Sequence, residues 1–172
     1  NSIYGGFYKS SKISCETYIE EFSRLYGLNY RILRYGSIYG ARADLSNGIY
    51  AILYNGIKSN KLVYKGSINS IRRYIHVKDV ASISVKLLAN KYNNKYINIT
   101  GDYDIKVKNL LNMISKITKI KNIKFSKSKY TGHYLKTPFD KKIINAVNVK
   151  YNNKIKIEAG IKELLNEINE SY

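Results

Sequence analysis

Residues 7–33 constrain the fold most, because they join a long amphipathic helix to a strand through one glycine. Apolar side chains recur at helical spacing up to residue 26, and Gly27 follows as a helix-ending glycine. Residues 29–33 then alternate and are partly β-branched, which predicts a strand. A helix, a short glycine turn and a strand in this order are typical of layered α/β proteins. We therefore expect an α/β fold.

The remainder of the chain repeats this alternation. Apolar stripes predict further helices at residues 46–59, 79–90, 106–118 and from 157 onward. Short β-branched runs predict strands at 61–64, 95–100 and 122–125, with a hairpin-like turn at 65–67. Residues 126–138 are polar and basic, and a solvated loop is expected there for Tyr130, His133 and Tyr134. Residues 139–146 predict a short helix.

The length and the composition exclude several classes of protein. A chain of 172 residues can bury one substantial core, which predicts one domain or part of a larger one. A membrane span is not predicted, because no run of about 18 apolar residues occurs. A single cysteine, Cys15, excludes an internal disulfide framework, and with only two histidines no zinc cluster is predicted. A reducing cytoplasm is the simplest compartment.

The formal charge of +18 raises the alternative of a basic module that binds nucleic acid or another polyanion. The basic residues are spread along the chain and do not form a tail or one helix. Lys, Asn, Ile and Tyr are abundant together, and their codons are AT-rich, so a biased genome explains the lysines equally well. We therefore do not expect a nucleic-acid partner, although the charge favours an anionic substrate.

Tyr8 and Lys12 are the strongest candidates for chemistry. Residues four apart on a helix share one face, so the phenol and the ammonium project side by side. A neighbouring cation stabilises phenolate and lowers a tyrosine pKa from about 10 towards neutrality, which allows general acid/base catalysis. Chance also produces this spacing in a chain with 18 tyrosines, as in Tyr54/Lys58 and Tyr74/Lys78.

The residues around the first pair resemble a known family. Ser11 and Glu16 complete the pattern Y-x-S-S-K-x-x-x-E, which is similar to that of extended short-chain dehydrogenases/reductases. Residues 33–42 resemble the L-R-x-x-N-x-Y-G-P-R stretch of that family, and residues 72–81 resemble R-D-F-I-H-V-D-D-V-A. The start of the last helix resembles the closing I-x-L-x-x-G-I-x-x-L pattern. More specifically, the chain resembles the NAD-dependent nucleotide-sugar epimerases and dehydratases of that family.

The resemblance implies a fold and a reaction. The fold would be the C-terminal part of an NAD(P)-binding, Rossmann-like doubly wound α/β fold, followed by a small α/β substrate-binding region. Residues 1–45 would end the NAD-binding region, and residues 46–172 would mainly bind substrate. The implied reaction is NAD-dependent epimerisation or dehydration of a nucleotide-activated sugar, and the implied partner is a second copy bound through the Tyr8–Lys12 helix.

The resemblance also implies roles for single residues. Tyr8 would be the general acid/base, and Lys12 would tune it and hold the cofactor ribose. Tyr35 would border the cofactor, while Ser37, which replaces the usual Asn, would contact substrate. Arg72 would bind the diphosphate, since a guanidinium accommodates two phosphate oxygens at once.

Two neighbouring residues have structural expectations, and one family element is missing. We expect His76 to be a packed histidine and Asp79 to be an N-cap or a first-turn acid. The dinucleotide-binding G-x-x-G-x-x-G turn does not occur among the eleven glycines. The Ser or Thr partner of the catalytic pair is expected upstream of Tyr8. We therefore expect the chain to be a fragment of a longer enzyme, without turnover on its own, and the alternative is an inactive truncated relative.

Overall fold

The computed structural model describes residues 6–102, 104–126, 146–149 and 154–170. Its helices are α1 (Gly6–Tyr26), α2 (Gly48–Ser59), α3 (Val77–Lys86), α4 (Val107–Thr118) and α5 (Ile157–Glu170), with a short 3-10 helix at Asn90–Tyr92. Its strands are β1 (Arg31–Tyr35), β2 (Ser37–Tyr39), β3 (Leu62–Lys65), β4 (Ile71–Arg72), β5 (Tyr74–His76), β6 (Lys95–Ile99), β7 (Ile105–Lys106), β8 (Ile123–Ser126) and β9 (Ala146–Asn148).

Parallel pairing dominates the sheets. The largest sheet has the order β1-β6-β9, with Leu33 opposite Ile97 and Ile97 opposite Val147. Two smaller parallel pairs are β2–β5 and β3–β8, and β4 pairs antiparallel with β7. Because parallel strands need crossover connections, helices separate most of these strands in the sequence. The expected α/β class is therefore observed.

Two apolar clusters form the core. The larger one packs the inner faces of α2, α4 and α5 together, including Leu53, Leu111 and Leu164, each 0% exposed. The smaller one lies between α3 and the strands β5 and β6, around Ile83 and Ile97. The apolar stripe of α4, with residues three and four apart, is the periodicity that predicted this helix.

Most predicted elements are confirmed, with shifts at their ends. The first strand begins at Arg31, two residues later than predicted, and α3 begins at Val77 and ends at Lys86. The hairpin-like turn at 65–67 is wrong, because β3 pairs in parallel with β8, far along the chain. The predicted helix at 139–146 and the loop tyrosines lie outside the described residues, except that Ala146 begins β9.

Asp79 joins α3 to the segment before α5. It lies in the first turn of α3 and is 4% exposed, and its carboxylate accepts backbone N–H bonds from Lys154 and Ile155 at 3.2 and 3.1 Å. The N-cap is instead His76, whose Nδ1 accepts from the Lys78 N–H at 3.3 Å. The expectation of a first-turn acid is confirmed, and the alternative of an Asp79 cap is wrong.

The predicted division after residue 45 separates strands that pair with each other. β1 precedes this point, whereas β6 and β9 follow it in the sequence. The pairing shows that the two predicted parts share one sheet, and the division between an NAD-binding and a substrate-binding region stays a prediction. Within the described part of the chain, the search for helices long and apolar enough to cross a membrane finds none.

Candidate functional site

The pair predicted to carry chemistry lies on α1 and faces solvent. The Lys12 ammonium is 5.4 Å from the centre of the Tyr8 ring, and the Tyr8 side chain is 71% exposed. The Ser11 hydroxyl donates to the Tyr8 carbonyl at 2.8 Å, so it bonds within the helix. The two side chains are thus adjacent, as four-residue spacing requires.

The two other Tyr-x-x-x-Lys pairs differ from each other in their surroundings. Lys58 donates to the Tyr54 hydroxyl at 2.6 Å on α2, and its ammonium is 4.4 Å from the centre of the Tyr54 ring, closer than Lys12 is to the Tyr8 ring. Tyr74 lies in β5, where burial raises its pKa to about 12 and so keeps its phenol protonated. Spacing and proximity alone therefore do not select the first pair over Tyr54/Lys58, which makes the second pair a matched control.

A polar network joins α1 to the sheet. Arg34, in β1, donates to both carboxylate oxygens of Glu16 at 2.9 and 2.6 Å, and its guanidinium lies 4.7 Å from the centre of the Tyr96 ring. The Tyr96 hydroxyl donates to Glu20 at 2.6 Å. Burial, and to a lesser extent this bond to Glu20, raises the pKa of the Tyr96 hydroxyl. The hydroxyl therefore keeps its proton and donates it to the hydrogen bond. Glu16 and Arg34 both stand in the family-like stretches, but sequence reasoning missed their contact.

The carboxyl ends of β1 and β6 meet at a tightly packed corner. The Gly36 N–H donates to the Ile99 carbonyl at 2.8 Å, and a Cβ at Gly36 would lie 3.2 Å from the Thr100 Cα. A Cβ at Gly101 would lie 2.0 Å from the Tyr74 carbonyl oxygen. This close approach of main chains occurs where ligands bind in open α/β sheets.

Two of the predicted substrate residues contact each other at this corner. Arg72 Nη1 donates to the Ser37 hydroxyl at 3.0 Å, and the backbone N–H of Ser37 donates to the carbonyl of Arg73. The neighbouring Arg73 pairs with Asp104 at 2.7 Å. Tyr35, predicted beside the cofactor, shares a 2.9 Å hydrogen bond with Ser84 on α3. The geometry therefore groups Ser37 with Arg72.

His76 is packed as expected. It is 1% exposed, its ring lies 5.2 Å from that of Tyr39, and a Cβ at Gly160 would approach its Cδ2 to 2.8 Å. Burial lowers the pKa of His76, whereas the carboxylate of Glu163, 3.7 Å away, acts in the opposite direction. Glu163 itself accepts from Lys78 at 2.5 Å. His76 is thus a packed structural residue.

We expect acid to destabilise the fold through His76. Its pKa is lowered in the folded chain, so the unfolded chain binds a proton that the folded chain does not once the pH falls below about 6.5. Each pH unit between the folded and unfolded pKa values then costs about 1.4 kcal/mol. Urea unfolding at pH 7.5 and 5.0 measures the free energy of unfolding. Between these two pH values it should fall less in a His76→Asn variant than in the wild type. Equal losses in the two proteins would contradict this assignment.

Comparison with known proteins identifies the family. The model of the NAD dependent epimerase/dehydratase family matches residues 5–100, more than half of the chain. A Methanocaldococcus jannaschii protein with the provisional name UDP-glucose 4-epimerase is 34% identical over 110 residues, which cover 62% of this chain and 35% of that protein. This match therefore spans about a third of the curated relative.

Solved structures establish the fold. A variant of Bacillus cereus UDP-glucuronic acid 4-epimerase, in complex with UDP-4-deoxy-4-fluoro-glucuronic acid and NAD, has a TM-score of 0.80 at 18% identity, covering 96% of this chain and 53% of that one. Bacillus anthracis dTDP-glucose 4,6-dehydratase in complex with NAD gives 0.77 at 19% identity, covering 100% and 54%. The chain thus spans about half of these proteins and has their Rossmann-like α/β fold. It belongs to the NAD dependent epimerase/dehydratase family.

Proposed function

We propose that this chain supplies the catalytic tyrosine and the nucleotide-sugar site of an NAD-dependent nucleotide-sugar epimerase or dehydratase. The observation that carries the proposal is the 3.0 Å bond between Arg72 and Ser37, because it joins two residues expected to contact the same substrate. Family membership supports the reaction class. The fold does not distinguish epimerisation from dehydration, since both kinds of enzyme are similar to it.

We propose that residues of this chain hold one end of NAD. Tyr8 and Lys12 lie side by side on exposed helix α1, and the main chain approaches its neighbours closely at Gly36 and Gly101 at the sheet corner. The 172 residues contain no G-x-x-G-x-x-G turn for the cofactor diphosphate. We therefore propose that the chain acts with a dinucleotide-binding half, while Tyr8, Lys12 and Tyr35 contact the nicotinamide ribose end.

The proposed division of labour follows from the chemistry of the side chains. NAD, when bound, supplies the oxidation and reduction of a sugar carbon. Tyr8 would act as a base through its phenolate oxygen, taking the proton from the sugar hydroxyl to become the phenol and later returning it. The Lys12 ammonium would favour the phenolate and would donate hydrogen bonds to ribose hydroxyls.

The proposed diphosphate site depends on charge and geometry together. Arg72 presents a planar guanidinium that can donate to two phosphate oxygens, and Ser37 orients it through their shared hydrogen bond. The net charge of +18 supports an anionic ligand in general terms. Arg73, which is paired with Asp104, has a different local partner and serves as the matched control.

The Arg72→Ala variant should bind UDP about 10- to 100-fold more weakly than the wild type, because a charge-assisted hydrogen bond contributes about 1.5–3 kcal/mol. Arg72→Lys should restore only part of the affinity, since an ammonium does not reproduce the planar guanidinium. Isothermal titration of UDP measures both changes. Unchanged affinity in Arg72→Ala, or an equal loss in Arg73→Ala, would remove Arg72 from the site.

We also propose a homodimer formed through α1. None of the helix's residues is buried, and it exposes Phe7, Phe22 and Leu25 at 97%, 55% and 62%. Large exposed apolar patches of this kind mark interaction sites.

We also propose a cytoplasmic location, because the single exposed Cys15 suits a reducing compartment.

A further inference from the structure

Helix α1 carries the proposed catalytic pair, yet none of its residues is buried. Within this chain, apolar packing therefore does little to fix the helix, and its polar contacts with the sheet contribute to its orientation, together with the apolar contacts of the proposed dimer. Two such contacts join α1 to the sheet among the described residues: Glu16 with Arg34, and Glu20 with Tyr96. We call these four residues the Arg34 network.

The geometry of the Arg34 network favours a defined position. Arg34 holds both oxygens of Glu16, and the two side chains are only 33% and 20% exposed. Its guanidinium lies over the Tyr96 ring, and the Tyr96 hydroxyl donates to Glu20, one turn further along α1. Bidentate, partly shielded ion pairs are more rigid and stronger than ordinary surface pairs.

Glu16 also stands four residues after Lys12, on the same face of the helix. A lysine and a glutamate at this spacing can form an ion pair. In the structure the Glu16 carboxylate bonds to Arg34, while the Lys12 ammonium lies 5.4 Å from the Tyr8 ring. Loss of Arg34 would free the Glu16 carboxylate to pair with Lys12 and would draw the ammonium away from Tyr8.

We propose that Arg34 is a positioning residue, which holds α1 against β1 through Glu16 and keeps that carboxylate away from Lys12. The inference rests on the proposed function, because it assigns to Lys12 its role beside Tyr8. Arg34 contacts neither substrate nor cofactor in this account. Its effect on turnover passes through Glu16 to Lys12.

The test compares Arg34→Ala, Glu16→Gln and the double variant in the full-length protein. A misplacement of a catalytic group by about 1 Å can lower the rate about 100-fold. We therefore expect kcat of Arg34→Ala to fall about 10- to 100-fold, because the freed Glu16 carboxylate displaces the Lys12 ammonium. Glu16→Gln removes the competing charge and should lose only about 3-fold, and the double variant should match Glu16→Gln rather than Arg34→Ala. The KM for the nucleotide sugar should change by less than about 2-fold, because Arg72 and Ser37 are untouched.

Arg24→Ala is the matched control, since Arg24 pairs with Glu21 within α1 at 2.7 Å and both side chains are exposed. Amide hydrogen exchange in peptides from α1 should accelerate in Arg34→Ala and not in Arg24→Ala. Unchanged exchange and kcat in Arg34→Ala would overturn the proposal, and so would a double variant as slow as Arg34→Ala. If the wild-type protein shows no turnover but amide exchange in α1 still accelerates in Arg34→Ala and not in Arg24→Ala, the proposed function is contradicted. The contact of Arg34 with α1 through Glu16 would still be supported.

Discussion

The Tyr8→Phe variant of the full-length protein should lose about 10²- to 10⁴-fold in kcat, because general acid/base catalysis contributes about that much. The substitution removes one hydroxyl from a side chain that is 71% exposed, so the fold should not change. Nucleotide-sugar affinity should also persist, since Arg72 and Ser37 are separate from α1. Steady-state kinetics together with isothermal titration separates the two effects.

Tyr54→Phe is the control for this experiment. Tyr54 and Lys58 have the same spacing and a direct 2.6 Å hydrogen bond, but they lie on α2. This variant should retain kcat within about 3-fold of the wild type, because Tyr54 has no place in the proposed proton transfer. If Tyr54→Phe were inactive and Tyr8→Phe active, the catalytic role would belong to the α2 pair.

The Gly101→Ala variant should lose about 3 kcal/mol or more of unfolding free energy. A Cβ at this position would lie 2.0 Å from the Tyr74 carbonyl oxygen and 2.8 Å from the Tyr74 backbone nitrogen, so the main chain must move. Because Tyr74 follows Arg72 closely in the sequence, the movement should also weaken nucleotide binding. Urea unfolding and UDP titration measure the two losses.

Gly48→Ala provides the comparison for this prediction. Gly48 is the first residue of α2, and a Cβ there would have nothing within 4 Å. Alanine is the better helix former, so the unfolding free energy should stay within about 0.5 kcal/mol or rise slightly. A Gly101→Ala protein as stable as Gly48→Ala would show that the corner of the sheet accepts side chains.

The helices could be predicted from the sequence because their apolar spacing is local. The α4 stripe and the capping Asn47 before α2 are readable from a few neighbouring residues. Strand pairing depends on residues distant in the sequence, which is why the parallel pairing of β3 with β8 was missed. The same reason explains the failed expectation of a hairpin.

The candidate site was predictable in part. The Tyr8–Lys12 adjacency follows from helix geometry, and the resemblance grouped Ser37 with Arg72 before their 3.0 Å contact was visible. The bond from Arg34 to Glu16 spans eighteen residues, and no local sequence pattern indicates which acidic residue will pair with Arg34. Burial of His76 was expected, but its N-cap role depends on the exact start of α3.

Product analysis of nucleotide sugars with the full-length protein tests the central claim most directly. The protein would be incubated with NAD and UDP-glucose or dTDP-glucose, and the sugar signals would be followed by proton NMR. The account predicts conversion of a nucleotide sugar that is lost in Tyr8→Phe. No conversion and no UDP binding, combined with a polyanion affinity that falls steeply with salt, would contradict it and would favour the basic binding module.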